Sequence, residues 1–110
     1  MPYYQGDIVL VAFPFSNQSA TKPRPAIIIS NKIVNKTMDV IIAQITSNLR
    51  NDPFSFQIHD SDVSVSLRTT SEVRCHKLST IDQTIIYKTI SKLDSKTLSK
   101  LLLKINSFLS

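Results

Sequence analysis

The chain has one cysteine, one glycine and no tryptophan in 110 residues, and eight acidic side chains against thirteen Lys and Arg. A single thiol cannot close an internal disulfide, so a reducing cytoplasm fits the chain better than an oxidising compartment. Cys75 then reads as a small buried hydrophobe. No charged segment followed by an apolar run opens the sequence, which argues against a secretory signal. Apolar runs such as Val40-Ile-Ile-Ala43 stop far short of the roughly 20 residues a membrane helix needs. The carboxylates of Asp60 and Asp62 stand in a turn without the further ligands a metal site requires.

What is present is a basic chain of single-domain size. The net charge of +5 favours an anionic partner, either nucleic acid or an acidic protein that imitates it. Residues 1–110 make one domain, long enough to bury roughly 60 to 70 percent of the unfolded surface around one core.

Hydrophobic period divides the chain into short strands and one final helix. Residues 7–15 are a nearly continuous apolar strand behind Gly6, 16–25 have loop composition, and 26–29 return as a strand. A helical turn over 31–37 leads to a strand over 39–45. Phe54, Phe56 and Ile58 alternate with Ser55, Gln57 and His59. After a turn at 60–62, alternation resumes at 63–67 and leads into 73–76, with a further turn at 80–82 where Asp82 caps backbone and a last strand at 85–90. Asp94 or Ser95 is a natural N-cap. On the helix that follows, Leu98, Leu101, Leu102, Ile105, Phe108 and Leu109 share one face and Lys96, Lys100 and Lys104 the other. Leu103 lies among the lysines, a position suited to contact with another chain. The pattern predicts a mostly β fold, a small β-barrel with a C-terminal helix.

Strand period also sets the chemistry-bearing residues. With Val65, Leu67, Val73 and Cys75 on one side, Arg74 and His76 share the other. Arg stays charged while an unperturbed His titrates near about 6.5, so the pair can hold a phosphate and move a proton, or can simply be solvated. Lys22 and Arg24 lie in backbone restricted by Pro23 and Pro25, which lowers the entropy lost when a cation there binds phosphate. Thr46, Ser47 and Asn48 close a strand, either as donors to phosphate or a base edge or as a turn bonding its own backbone. Phe56 is either core or a platform for unpaired bases.

The run Leu67-Arg-Thr-Thr-x-x-Val-Arg-Cys-x-x-x-x-Thr-Ile-Asp82, preceded by Gly6-Asp-Ile-Val-Leu-Val-x-Phe-Pro-Phe15, Pro23-Arg-Pro-Ala26 and Thr46-Ser47, resembles the Kid/PemK branch of the MazF-like toxins. The resemblance spans nearly the whole chain in order. It implies the SH3-like barrel of MazF/PemK/CcdB toxins, a homodimer, and an endoribonuclease that cuts single-stranded RNA through the ribose 2′-hydroxyl without metal or cofactor, leaving a 2′,3′-cyclic phosphate and a 5′-hydroxyl. It also implies neutralisation by an antitoxin whose acidic C-terminal segment occupies the RNA groove. By position, Arg74 would stabilise the phosphorane, His76 stands where these toxins carry an aspartate base, Arg24 would supply charge and Thr46 would orient the phosphate. Lys22, Ser47, Asn48, Phe56 and Lys77 would bind RNA. On this reading Arg74→Ala is expected to remove cleavage and leave the fold intact. The chain departs from the pattern at His76, at Ser71 in place of a usual glycine, at Lys77-Leu78-Ser79, and in the 16–25 loop, which lacks the usual glycine and acidic residue. A gyrase-binding toxin of the same fold relies on a Trp-Gly-Ile end that Phe108-Leu-Ser110 does not match. A non-catalytic RNA-binding barrel remains open.

Overall fold

In the computed structural model, residues 2–12 and 22–110 are described. The elements are β1 (Asp7–Val11), β2 (Arg24–Ile28), α1 (Lys32–Asn35), β3 (Asp39–Thr46), β4 (Ser55–Ile58), β5 (Ser71–Asp82), β6 (Ile86–Lys92) and α2 (Ser95–Ser107). The strands form one antiparallel sheet in the order β4-β5-β3-β2-β1-β6. The two edges approach each other beyond their strands. Val63 bridges Leu93, Ser64 N donates to Lys92 O at 2.9 Å, and the Ser91 hydroxyl donates to Val65 O at 2.7 Å. The sheet is thus curled into a small β-barrel with a C-terminal helix, as the sequence pattern predicts, and fits the SH3-like barrel that the resemblance implies.

Side-chain alternation sorts the core into two clusters. Ile8, Ile27, Ala43, Ile45, Val73 and Cys75 pack with Leu93 and with Leu101 and Ile105 of α2. Val9, Val11, Ala26, Ile28, Val40 and Ile42 lie on the opposite face of the same strands with Ile81 and Ile86. Cys75 is buried, and burial pushes its thiol pKa up, as a small core residue should behave.

The helix begins where its cap predicts, with Asp94 accepting from Thr97 N at 2.8 Å. Gly6 has φ +96°, and a Cβ there would come within 3.1 Å of the Leu98 side chain. Its positive φ therefore favours glycine, and the close approach of α2 leaves little room for a side chain. The expected apolar face is narrower than its sequence suggests. Leu101 and Ile105 are buried, but Phe108 and Leu109 are exposed, and Leu103 is exposed as expected. Lys104 is not simply solvated, since its Nζ donates to Ser55 O at 2.6 Å.

Three boundaries differ from the sequence pattern. Residues 63–67 are not a strand: their pairing is limited to the Val63 bridge, Val65 is exposed, and Arg68 takes a left-handed φ of 67°. Residues 80–82 belong to β5, and the turn follows at Gln83–Ile85, where Asp82 accepts from Thr84 N at 2.8 Å. The first strand ends at Val11, and the expected continuation over 13–15 and loop over 16–21 lie outside the described residues. The helical turn is present at Lys32–Asn35 and the 60–62 turn as a short 3-10 turn.

Leu101 has no exposed surface and joins α2 to the barrel core. Leu101→Ala should lower stability by about 3 kcal/mol. In a urea titration this appears as a lower midpoint with unchanged slope.

Candidate functional site

Register brings the candidate residues of three strands to one end of the sheet. Ala26 of β2 pairs with Gln44 of β3, and Gln44 pairs with Arg74 of β5. Thr46 pairs with Glu72, and counting two residues along β2 places Arg24 level with Thr46. Directly paired residues share a face. Arg24, Gln44, Thr46, Glu72 and Arg74 therefore continue, as a polar patch, the face whose other half is the Val9–Ile42 cluster. Arg24 is exposed beside exposed Lys22, with Pro25 following it in β2. The Gln44 Oε1 is buried with no hydrogen-bond partner among the described residues.

Arg74 is not an exposed cation. It retains 7% of its accessible surface and forms a bidentate pair with Asp52, at 3.0 Å from Nη1 and 2.8 Å from Nη2. Its Nη1 also lies 2.6 Å from Glu72 Oε2 and 2.9 Å from the Ser55 hydroxyl. Glu72 is 1% exposed. Beyond Arg74 it accepts from Arg50 N at 3.1 Å, Asn51 N at 3.4 Å and the Ser55 hydroxyl at 2.7 Å. One guanidinium among two carboxylates gives the cluster a net charge of −1. The Arg74 hydrogen bond holds the Asp52 carboxyl well below the usual carboxylate range. For Glu72, burial raises the pKa, but hydrogen bonds from Ser55, Arg74 and two backbone N–H groups outweigh it and the net shift is downward. The paired carboxylates, Asp52 first, outweigh desolvation to raise the pKa of Arg74.

The shared exposed face expected for Arg74 and His76 is broken by a bulge. Ala43 pairs with Leu78 and its neighbour Gln44 with Arg74, so residues 75–77 have no partners on β3. Strand alternation cannot be carried across such an insertion. Arg74 turns into the sheet and the 50–54 loop covers it, whereas His76 and Lys77 stand exposed on the bulge. The His76 ring stacks on Phe54, centroids 4.0 Å apart and planes at 28°. Desolvation lowers its pKa, and the positive charges of Arg74 and Lys77 add to that.

Thr46 ends β3, and its hydroxyl oxygen accepts from Asn48 N at 3.0 Å, so the turn reading applies while its O–H stays available to donate. Ser47 and Asn48 are exposed beyond it. Phe56 is half-buried and packs against the first core cluster. The sequence pattern passes over Asp52 and Glu72 and places Phe54 only in an alternating apolar set. The Glu72-x-Arg74 spacing, opposite charges two apart on one strand face, could have exposed half of the network. Asp52 comes from a loop and has no such signal.

A curled six-stranded sheet with a C-terminal helix and a polar strand-end patch makes this a small β-barrel with a candidate site at one end. The family model described as PemK-like, MazF-like toxin of type II toxin-antitoxin system matches residues 4–109, and the chain belongs to that family. No curated protein matches it. Among solved structures, it is similar to a mycobacterial endoribonuclease in complex with its cognate antitoxin, with TM-score 0.79, 18% identity, and 97% of this chain and 94% of that one covered. A MazE-MazF structure from Deinococcus radiodurans has TM-score 0.79 at 18% identity, covering 100% and 97%. A MazF toxin of Mycobacterium tuberculosis has TM-score 0.73 at 21% identity, covering 93% and 95%. At these identities the likeness is one of fold.

Arg74 is buried rather than pointing away from the core, and removing it strips the counter-charge from a buried carboxylate, so the Arg74→Ala fold carries a stability cost that an exposed arginine would not. Arg74→Ala should lower stability by about 3 kcal/mol, read by denaturant unfolding. Because Asp52 and Glu72 have lowered pKa values in the fold, the stability they contribute is full above their ordinary pKa of about 4 and is lost as pH falls below it. Glu72→Gln should flatten that acid limb; an unchanged limb would remove Glu72 from the account.

Proposed function

We propose that the protein is the toxin of a type II pair and acts as a metal-independent endoribonuclease on single-stranded RNA. The observation that supports this reading is the strand-end assembly in which Arg24, Thr46 and Arg74 share one face, with His76 exposed on the bulge two residues beyond Arg74. Arg24 supplies the accessible positive charge for the scissile phosphate, and the Thr46 hydroxyl donates to a phosphate oxygen. His76, held neutral by its lowered pKa, accepts the proton of the ribose 2′-hydroxyl as that oxygen attacks phosphorus. The 5′-oxygen leaves, giving a 2′,3′-cyclic phosphate and a 5′-hydroxyl. Arg74, largely committed to Asp52 and Glu72, stiffens the floor of the site and contributes at most its unpaired protons to the phosphorane. Lys22, Lys77, Ser47 and Asn48 flank the path of the strand. The solved relatives that carry their antitoxins support an antitoxin partner here, and its acidic segment would compete for the same cations. A homodimer fits the exposure of Leu103, Phe108 and Leu109.

The pairing of Arg74 with Asp52 and Glu72, which takes it from a scissile phosphate, favours one other reading, a barrel that binds RNA through its exposed cations without cutting it. Incubating the protein with a defined single-stranded RNA in EDTA separates the two. Cleavage should persist in EDTA and stop when the nucleotide at the cut carries 2′-deoxyribose. Cleavage that needs metal, or that survives 2′-deoxy substitution, overturns the mechanism.

A histidine base gives activity above its pKa, lost as pH falls through it. The downward shift of His76 places that acidic limb below the ordinary value of about 6.5. His76→Asp should move the limb toward about pH 4 with measurable cleavage, and His76→Ala should lose the limb with most of the rate. A His76→Ala protein with wild-type rate and limb would transfer the reaction to Arg24 and Thr46.

A further inference from the structure

His76 projects from a bulge in which residues 75–77 lack β3 partners, so the sheet by itself does not fix its ring. The 50–54 loop does. The Phe54 ring stacks on the imidazole with centroids 4.0 Å apart, and the Phe54 carbonyl accepts from Cys75 N, the residue before His76, at 2.9 Å. Phe54 is itself fastened: its N–H donates to Asp52 Oδ1 at 2.9 Å, Asp52 is clamped by Arg74, and Phe108 packs against its ring at 5.2 Å. With His76 on one face and Phe108 against it, Phe54 offers little open surface to a base. We infer that Phe54 is a positioning residue that fixes the His76 imidazole at the rim of the strand-end site, its own ring being locked through Asp52 to the buried Arg74 cluster.

This rests on the reading of His76 as the base, and the two can fail separately. The charged groups around the imidazole are Arg74 and Lys77 on β5 and Asp52 on the covering loop. Lys104 of α2 reaches the start of β4, next to the loop, through the Ser55 carbonyl. None of these is altered by a change at Phe54, so a shift in His76 titration reports the stack.

In the wild type, the His76 ring protons should be displaced upfield in NMR spectra by the Phe54 ring. Phe54→Leu, which keeps bulk but not the aromatic face, should relieve that displacement and raise the His76 titration point toward its ordinary value. It should also lower kcat by roughly tenfold to a hundredfold, with KM within about twofold. Phe54→Tyr should restore all of these. Undisplaced His76 protons in the wild type, or a Phe54→Leu protein whose His76 titration is unchanged, overturn the positioning role. A change confined to KM also overturns it, because Phe54 would then be touching RNA. If the titration moves and kcat does not, the stack stands and the assignment of His76 as base is overturned, which ends the catalytic part of the proposal.

Discussion

One buried guanidinium organises the polar strand-end patch of this barrel. Arg74 draws Asp52 from a loop and Glu72 from its own strand into contact, and the Ser55 hydroxyl lies within hydrogen-bond reach of all three. Placing these charges where Glu72 keeps 1% of its surface is tolerable only because each has a partner; an unpaired charge there would be strongly unfavourable. The constraint propagates outward. Glu72 fixes the backbone of Arg50 and of Asn51, whose left-handed φ of 49° suits asparagine. Asp52 fixes Phe54, and Phe54 meets His76.

The same cluster changes the division of labour at the site. A strand-face arginine beside a histidine suggests a cation that meets phosphate directly. With two carboxylates already on it, Arg74 instead holds geometry, and the accessible positive charge moves to Arg24 and the flanking lysines. If RNA is the ligand, as proposed, its anionic backbone would be attracted by these surrounding groups, while the Arg74 cluster beneath carries net charge −1. On the proposed reading such a floor would repel a phosphate that settles too deeply and would leave proton transfer to His76 on the exposed bulge.

The barrel itself is held by ordinary apolar burial on both faces of β1, β2 and β3, which is why those strands read as continuous hydrophobic runs. The helix closes one side through Leu101 and Ile105 and depends on Gly6 for its approach. Closure opposite is thin: one bridge and the Ser91 hydroxyl join the segment after β4 to the end of β6. A few hydrogen bonds suffice there because the curl of the sheet has already brought the edges together.

Much of this was legible in the residues. Apolar period located β1 to β3 and α2, Asp94 marked the helix start, and the motif order from Gly6 through Asp82 pointed to the toxin family. These signals are local or ordered along the chain, and a linear string carries them intact. The sequence could not reveal that residues 75–77 leave the ladder, because a bulge is decided by what the partner strand offers, and alternation counted across it puts Arg74 on the wrong surface. Nor could it pair Asp52 with Arg74, or Phe54 with His76, since each pair joins residues about twenty apart through a loop with no periodic signature. The sequence by itself determined the barrel, the helix and the set of residues at the strand ends. Only the tertiary structure decided which of the cations is buried and which accessible, because burial and ion pairing depend on what folds over a residue rather than on its neighbours in the chain.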